Sequence, residues 1–187
     1  AEGLDGRRAL AEVLEPGPGG VLVLPASWAR GAGWPTAAPS EQGLIEQFHG
    51  LGPIADYVVV DAGNTPTSLA RRLCQSSEKL LLLATPALPS IMNAYAMVKG
   101  LARTSGLPTI GTVVNMAPAE SVADDIHNRL ATACRRFLGV ASQPAGYVPY
   151  ASQIEQMGGR GGPFVLAAPG GLASRQIAQL ASWVEGR

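Results

Sequence analysis

Three consecutive stretches decide the fold class: KLLLLATP at residues 79–86, SIMNAYAMVKGLAR at 90–103 and TIGTVVNM at 109–116. The two outer stretches are short runs of aliphatic residues, which predicts strands that are covered on both faces. The middle stretch repeats apolar residues at steps of three and four from Ile91 to Leu101, which predicts an amphipathic helix. A strand, a helix and a strand in this order form a parallel pair joined by a right-handed crossover.

The same alternation extends along the rest of the chain. Further apolar runs at 21–25, 56–61 and 144–149 predict strands. Helical spacing recurs in four more segments: 42–51, 68–75, 119–138 and 173–184. We therefore expect a single α/β domain over residues 1–187, with a doubly wound, mostly parallel sheet and helices on both faces.

Composition excludes several classes of function. The chain has 187 residues, of which 47% are hydrophobic and 15% charged, so it has enough apolar residues for a globular core. Its formal net charge is zero, which argues against a general nucleic-acid-binding surface. Cys74 and Cys134 lie far apart without metal or disulfide spacing, so a reducing cytoplasmic setting is expected. The longest aliphatic run is too short to span a bilayer.

Candidate binding residues fall at the predicted strand ends, where parallel sheets bind their ligands. Asp61 ends one predicted strand, Asn115 ends another, and Pro149 with Tyr150 ends the last. A carboxylate such as Asp61 can hold a Mg²⁺-bound water, and Gly63 lets a backbone N–H approach a phosphate. The carboxamide of Asn115 suits the hydrogen-bonding edge of adenine. Ordinary turn chemistry explains the same residues, so the residues alone leave both interpretations open.

Several stretches together resemble a known family. They occur in this order: DYVVVDAGNTPTS, TPALPSIMNAYAMVKGL, GTVVNMAPAE, RRFLGV and GYVPYASQIEQM. In order and character they are similar to the MinD/ParA-type P-loop ATPases, and closest to the flagellar-number regulator branch, the FlhG/FleN-like proteins. The resemblance implies a P-loop NTPase-like fold that uses ATP and Mg²⁺. It also implies a catalytic, Mg²⁺-orienting role for Asp61, a switch-loop backbone donor at Gly63, and an adenine pocket at Asn115 and Pro149–Tyr150.

The chain departs from the family pattern where phosphate should be bound. A P-loop needs a glycine-rich turn with a lysine before a helix, but Lys79 begins a predicted strand and Lys99 lies late in a predicted helix. They are the only two lysines, so there is no Walker A motif here. Ala151 stands where the family has an acidic residue. The family's first strands and P-loop would precede Ala1, so we expect either an N-terminally incomplete domain or a degenerate relative.

Two functions follow as expectations from this resemblance. The first is a nucleotide-switch ATPase domain that positions or counts a cellular assembly such as flagella, inactive as given because the P-loop is absent. The alternative is a catalytically inactive pseudo-ATPase that acts as a protein-interaction scaffold. Either version implies a protein partner or a homodimer, with pairing across the edge of the strand at 57–61, and no direct nucleic-acid binding. Peripheral membrane association is expected only through segments outside this chain.

Overall fold

The computed structural model describes residues 10–24, 41–65, 67–103, 106–152, 154 and 162–186. The chain divides into two compact units, of which the first ends at Asp61 and the second begins at Ala62. Among the residues described, none of the helices combines the length and the apolar character that crossing a membrane requires.

A short hairpin opens the described part of the first unit. Strands β1 (Glu15–Pro16) and β2 (Leu22–Val23) pair antiparallel, with a single 3₁₀ turn at Pro18–Gly20 between them. Gly19 and Gly20 have φ of 75° and 82°, a left-handed backbone that glycine adopts without steric cost and that reverses the chain. The strand predicted at 21–25 is confirmed at Leu22–Val23, but it does not join the parallel sheet, because the reversed chain pairs antiparallel with its own preceding residues. Residue 25 lies outside the described range.

Helix α1 and the segment after it complete the first unit. The helix spans Glu41–His49, as its spacing predicts, and Ile45 is buried. The segment 57–60 forms no strand, and its four side chains are exposed, Val59 to 88%. The predicted strand at 56–61 is therefore wrong. A strand needs a neighbour that accepts and donates backbone hydrogen bonds, and none of the described residues pairs with this segment.

The second unit is built on a parallel sheet of three described strands in spatial and chain order. The strands are β3 (Lys79–Ala84), β4 (Thr109–Ala117) and β5 (Gln143–Pro149). The helices are α2 (Ser68–Ser76), α3 (Leu88–Leu101), α4 (Glu120–Leu138), α5 (Phe164–Ala167) and α6 (Leu172–Glu185). Helices α3 and α4 are the two crossovers of the parallel sheet. The strands predicted at 79–86, 109–116 and 144–149 are confirmed, as are the helices predicted around them.

Helices α3 and α4 cover one face of this sheet. Alternate strand residues such as Leu82 and Val114 pack against Val98 of α3 and Ile126 of α4 in one buried cluster. Val98 is completely buried, and Cys134 of α4 is as well. This cluster is the main apolar core of the unit, and its burial supplies most of the driving force for folding.

Helix α6 lies on the opposite face. A Cβ added to Gly111 of β4 would come within 2.5 Å of Trp183 Cη2 and 2.8 Å of Ala145 Cβ, so the indole of α6 lies directly over the glycine. Because Gly111 has no side chain, the Trp183 ring can approach β4 this closely. Helices on both faces confirm the predicted α/β class.

Candidate functional site

The carboxyl end of β4 is distorted at Asn115 and Met116. Met116 has φ of 58°, and among the described residues it is the non-glycine with a left-handed backbone. The pairing register with β5 shifts there, between Asn115 opposite Val148 and Ala117 opposite Pro149. The left-handed conformation costs roughly 1–2 kcal/mol for a residue with a Cβ. Such strain collects at binding and catalytic sites, where the surrounding structure holds it in place.

The side chain of Asn115 supports this distortion. Its Oδ1 accepts a hydrogen bond from the backbone N–H of Met116 at 2.9 Å. The next strand end is tied to the same place, because the N–H of Tyr150 donates to the carbonyl of Ala117 at 3.0 Å. The structure thus brings together three of the residues that the sequence indicated: Asn115, Pro149 and Tyr150.

This end of the sheet is open. The side chain of Met116 is 48% exposed and that of Tyr150 is 53% exposed. The Asn115 carboxamide keeps two N–H donors and a second lone pair on Oδ1 after its bond to Met116. A donor and an acceptor on one planar group are what the predicted contact with the edge of adenine requires of Asn115.

Gly63 and Asp61 belong to different units. Gly63, in the second unit, is exposed and has φ of 67°, and a Cβ added there would meet no atom within 4 Å. The left-handed backbone explains why glycine stands at this position, and its role as a backbone donor to phosphate stays a prediction. Asp61 is the last residue of the first unit and is exposed. The part of Asp61 in a common site with the other residues stays a prediction, because it belongs to the other unit.

The described residues do not fit the phosphates of a nucleotide. The Nζ of Lys79 donates to the carbonyls of Trp183 at 3.0 Å and Val184 at 2.6 Å, so this ammonium is held by the end of α6. Lys99 is exposed in the last turn of α3. Within the part of the chain that the structure describes, no three His, Cys, Asp or Glu side chains group as metal ligands. A triphosphate with Mg²⁺ therefore lacks a cradle among the described residues.

The titratable groups with perturbed chemistry lie in the helix layer instead. Burial raises the pKa of the Cys74 and Cys134 thiols above the ordinary value, which keeps them protonated and poor nucleophiles. Burial lowers the pKa of His127, and the nearby charge of Asp124 opposes that shift. The buried Nδ1 of His127 has no hydrogen-bond partner among the described residues. These groups stabilise or strain the core and do not form part of the strand-end site.

Sequence reasoning missed Met116, which carries the strain. Its conformation has no local signal, because the preceding Asn is the residue type that tolerates left-handed backbone better. The sequence indicates only that the strand ends here, because the polar residue Asn115 is soon followed by Ala117–Pro118, where the pairing of β4 with β5 ends.

A comparison of sequences finds a relative of this chain. The antiactivator FleN of Pseudomonas aeruginosa is 30% identical over 160 residues, which cover 83% of this chain and 56% of the relative. The chain thus matches little more than half of that protein's length. No protein-family model matches the chain.

The fold of the chain is similar to that of several solved structures. The MinD cell division protein of Aquifex aeolicus superposes with a TM-score of 0.72 at 20% identity, covering 98% of this chain and 73% of that one. The cell division ATPase MinD of Pyrococcus furiosus gives 0.66 at 18% identity, over 97% of this chain and 72% of that one. A ParA family ATPase from Chlorobium tepidum gives 0.67 at 16% identity, over 92% and 66%. The chain thus has the fold of the MinD/ParA-type ATPases and is similar in sequence to their FlhG/FleN-like branch.

Proposed function

We propose that the chain is the base-recognising part of a FleN-like nucleotide switch that regulates flagellar number. The observation that carries the proposal is the Asn115–Met116 turn, a strained and exposed backbone held by an amide that retains its donors. Residues 1–187 would act as one functional domain despite their two compact units. The relation to the antiactivator FleN supports the cellular role.

We assign a role to each residue from the chemical groups that it offers. Asn115 would contact the purine edge, with the loop at Pro149 and Tyr150 beside it. Asp61 is proposed as the carboxylate that would orient a Mg²⁺ water shell, and Gly63 as a backbone donor to phosphate. Neither role is complete without a positive phosphate cradle, because a polyphosphate needs charge neutralisation by lysine and backbone N–H groups.

Binding measurements with the isolated chain test the base-recognition part. Calorimetry should give similar weak affinities for adenosine, ADP and ATP, because the phosphates gain no strong contact. Hydrolysis of ATP should stay at background for the same reason. ATP binding much tighter than adenosine binding, or turnover abolished by Asp61→Ala, would reveal a phosphate site and overturn this part of the proposal.

The alternative is a protein-interaction scaffold that needs no nucleotide. It is favoured by the engaged ammonium of Lys79 and by exposed apolar side chains near the carboxyl end of the sheet, among them Leu88 at 60% and Met92 at 62%. A cellular assay distinguishes the two. Flagella would be counted in a bacterium that lacks its FleN-type regulator and is supplied with the full-length gene carrying Asn115→Asp. The switch predicts loss of number control, whereas the scaffold predicts that control is kept.

A further inference from the structure

His127 is a buried imidazole on the face of α4 that packs into the unit. It lies two turns after the start of the helix, and 9% of its surface is exposed. Its buried Nδ1 has no hydrogen-bond partner among the described residues. An imidazolium donates from both ring nitrogens, so protonation would bury an N–H that has no acceptor. Such a group is costly inside the fold, and the cost disappears when the imidazole reaches water.

The elements against which α4 packs bring no charge to this imidazole among the described residues. These elements are α3, β4 and β5, and β4 has no ionisable side chain. Tyr95 of α3 and Tyr147 of β5 pack against the core, but a phenol is uncharged where histidine titrates. Lys99 of α3 is exposed, as are the charged side chains of α4. Of the latter, Asp124 lies one turn before His127, and its charge favours the protonated ring.

The first turns of α4 connect His127 to the strained end of β4. Ala117, the last residue of β4, belongs to the same buried cluster as Ala123 of α4. Residues 118–119 join the strand to the helix, and Ala119 at the N-cap makes no side-chain hydrogen bond to it. A helix that starts without such a cap is easier to open at that end. Opening these turns would remove the packing that holds Ala117, two residues after Asn115.

We propose that protonation of His127 opens the first two turns of α4 and thereby weakens base binding at Asn115 and Met116 as the pH falls. The inference rests on the proposed base recognition and adds a regulation to it. Burial lowers the pKa of His127 in the folded chain, and Asp124 opposes that shift, so an opened α4 binds the proton more readily. His127 is thus a positioning residue that acts through the helix and does not contact the base.

Hydrogen exchange without ligand tests the opening of α4. The amides of residues 123–128 would be followed at pH 7.5 and 5.5, and each rate divided by that of an unstructured chain at the same pH. Protection there should fall about fivefold or more at pH 5.5, a factor typical of coupled equilibria, while protection of α3 changes less. His127→Gln should abolish this fall. His49→Gln, at the chain's other histidine, which is exposed in α1, is the matched control and should keep it. Equal protection at both pH values, or the same fall in His127→Gln, would overturn the proposal.

Asp124→Asn provides a second variant in which His127 is retained. The exposed carboxylate favours the protonated imidazole, so its removal should move the fall in protection to lower pH. A fall that stays at the same pH, or moves to higher pH, would contradict the assignment of the switch to His127.

Calorimetry with adenosine at the same two pH values tests the coupling to the strand end. The affinity should be about fivefold weaker at pH 5.5 in the unmodified chain and in His49→Gln, and equal at both pH values in His127→Gln. Equal affinity in the unmodified chain, although α4 opens, would overturn the coupling and leave base recognition intact. Absence of adenosine binding at either pH would overturn base recognition itself, and hydrogen exchange would still decide whether His127 opens α4.

Discussion

The two ends of the sheet in the second unit are built in opposite ways. At the amino end, Lys79 donates to two carbonyls of α6 and its ammonium lies 5.2 Å from the centre of the Trp183 ring, which covers Gly111. At the carboxyl end, Met116 has a strained backbone and Tyr150 is 53% exposed. The amino end is closed by side-chain contacts with α6, whereas the carboxyl end is more exposed and its strained turn makes one side-chain hydrogen bond, to Asn115.

The close contacts and the proposed binding residues thus lie at opposite ends of the same strands. Lys79 at the last turn of α6 satisfies carbonyls that a helix end otherwise leaves unpaired, and its charge favours the negative end of the helix dipole. The strained turn at Asn115 and Met116 contributes no comparable contact. Substitutions at the two ends should therefore have different effects.

The largest effect on stability is expected from Gly111→Ala. The new methyl group would overlap the Trp183 ring and Ala145, neither of which can move without disturbing α6 or β5. Overpacking of this kind costs about 1–3 kcal/mol, measured as the free energy of unfolding in urea. Adenosine binding should not change if the two ends are independent.

Gly170→Ala is the control for this substitution, since a Cβ there would meet nothing within 4 Å. Adding Trp183→Leu to Gly111→Ala should recover part of the lost stability by removing the overlapping ring. A Gly111→Ala chain as stable as the Gly170→Ala chain would show that Trp183 does not pack on β4.

Lys79→Met should have the next largest effect. It keeps the apolar stem and removes the ammonium, so two hydrogen bonds to carbonyls and one ring contact are lost. We expect a loss of about 1 kcal/mol in unfolding free energy. Lys99→Met is the matched control, because Lys99 is exposed in the last turn of α3. Equal losses in the two variants would mean that the contacts to α6 carry no stability.

A smaller, pH-dependent effect is expected from His127, which belongs to neither end. Burial lowers its pKa in the folded chain below the ordinary 6.5, so the unfolded chain binds the proton more readily. Stability is therefore complete above about pH 6.5 and falls with acidification, until the pH drops below the folded-state pKa. His127→Gln should flatten the fall in unfolding free energy as the pH is lowered below about 6.5. An unchanged slope would assign the acid sensitivity to other groups.

The parts of the fold that the sequence predicted are those with a local signal. Helices α3 and α4 follow from apolar residues at helical spacing, and β3 follows from an aliphatic run. The run at 57–60 is just as aliphatic yet forms no strand and is exposed. A strand depends on backbone groups elsewhere in space, which an apolar run does not specify.

The candidate site, too, could be predicted from the sequence only in part. The place of Asn115 and Pro149 could be predicted, because strand ends of a parallel sheet meet at one edge. Helix α3 begins at Leu88, and the Ser90 hydroxyl in its first turn accepts from the N–H of Thr85 at 2.9 Å, a contact that helical spacing does not specify. The residue type of Met116 does not indicate its strain, because the strain depends on the hydrogen bond that its N–H donates to the Asn115 side chain. These details depend on three-dimensional contacts, not on residue type.

The most direct test of the account is Asn115→Asp, with adenosine binding and unfolding free energy measured on the same samples. The carboxylate keeps an acceptor for the N–H of Met116 and loses the two amide donors. For Asn115→Asp we predict that adenosine binding is lost while the unfolding free energy changes by less than about 0.5 kcal/mol. Asn115→Ala should lower both adenosine binding and the unfolding free energy. Asn128→Ala, on the exposed face of α4, is the control and should change neither. Adenosine binding that persists unchanged in Asn115→Asp would contradict the assignment of base recognition to the carboxyl end of the sheet.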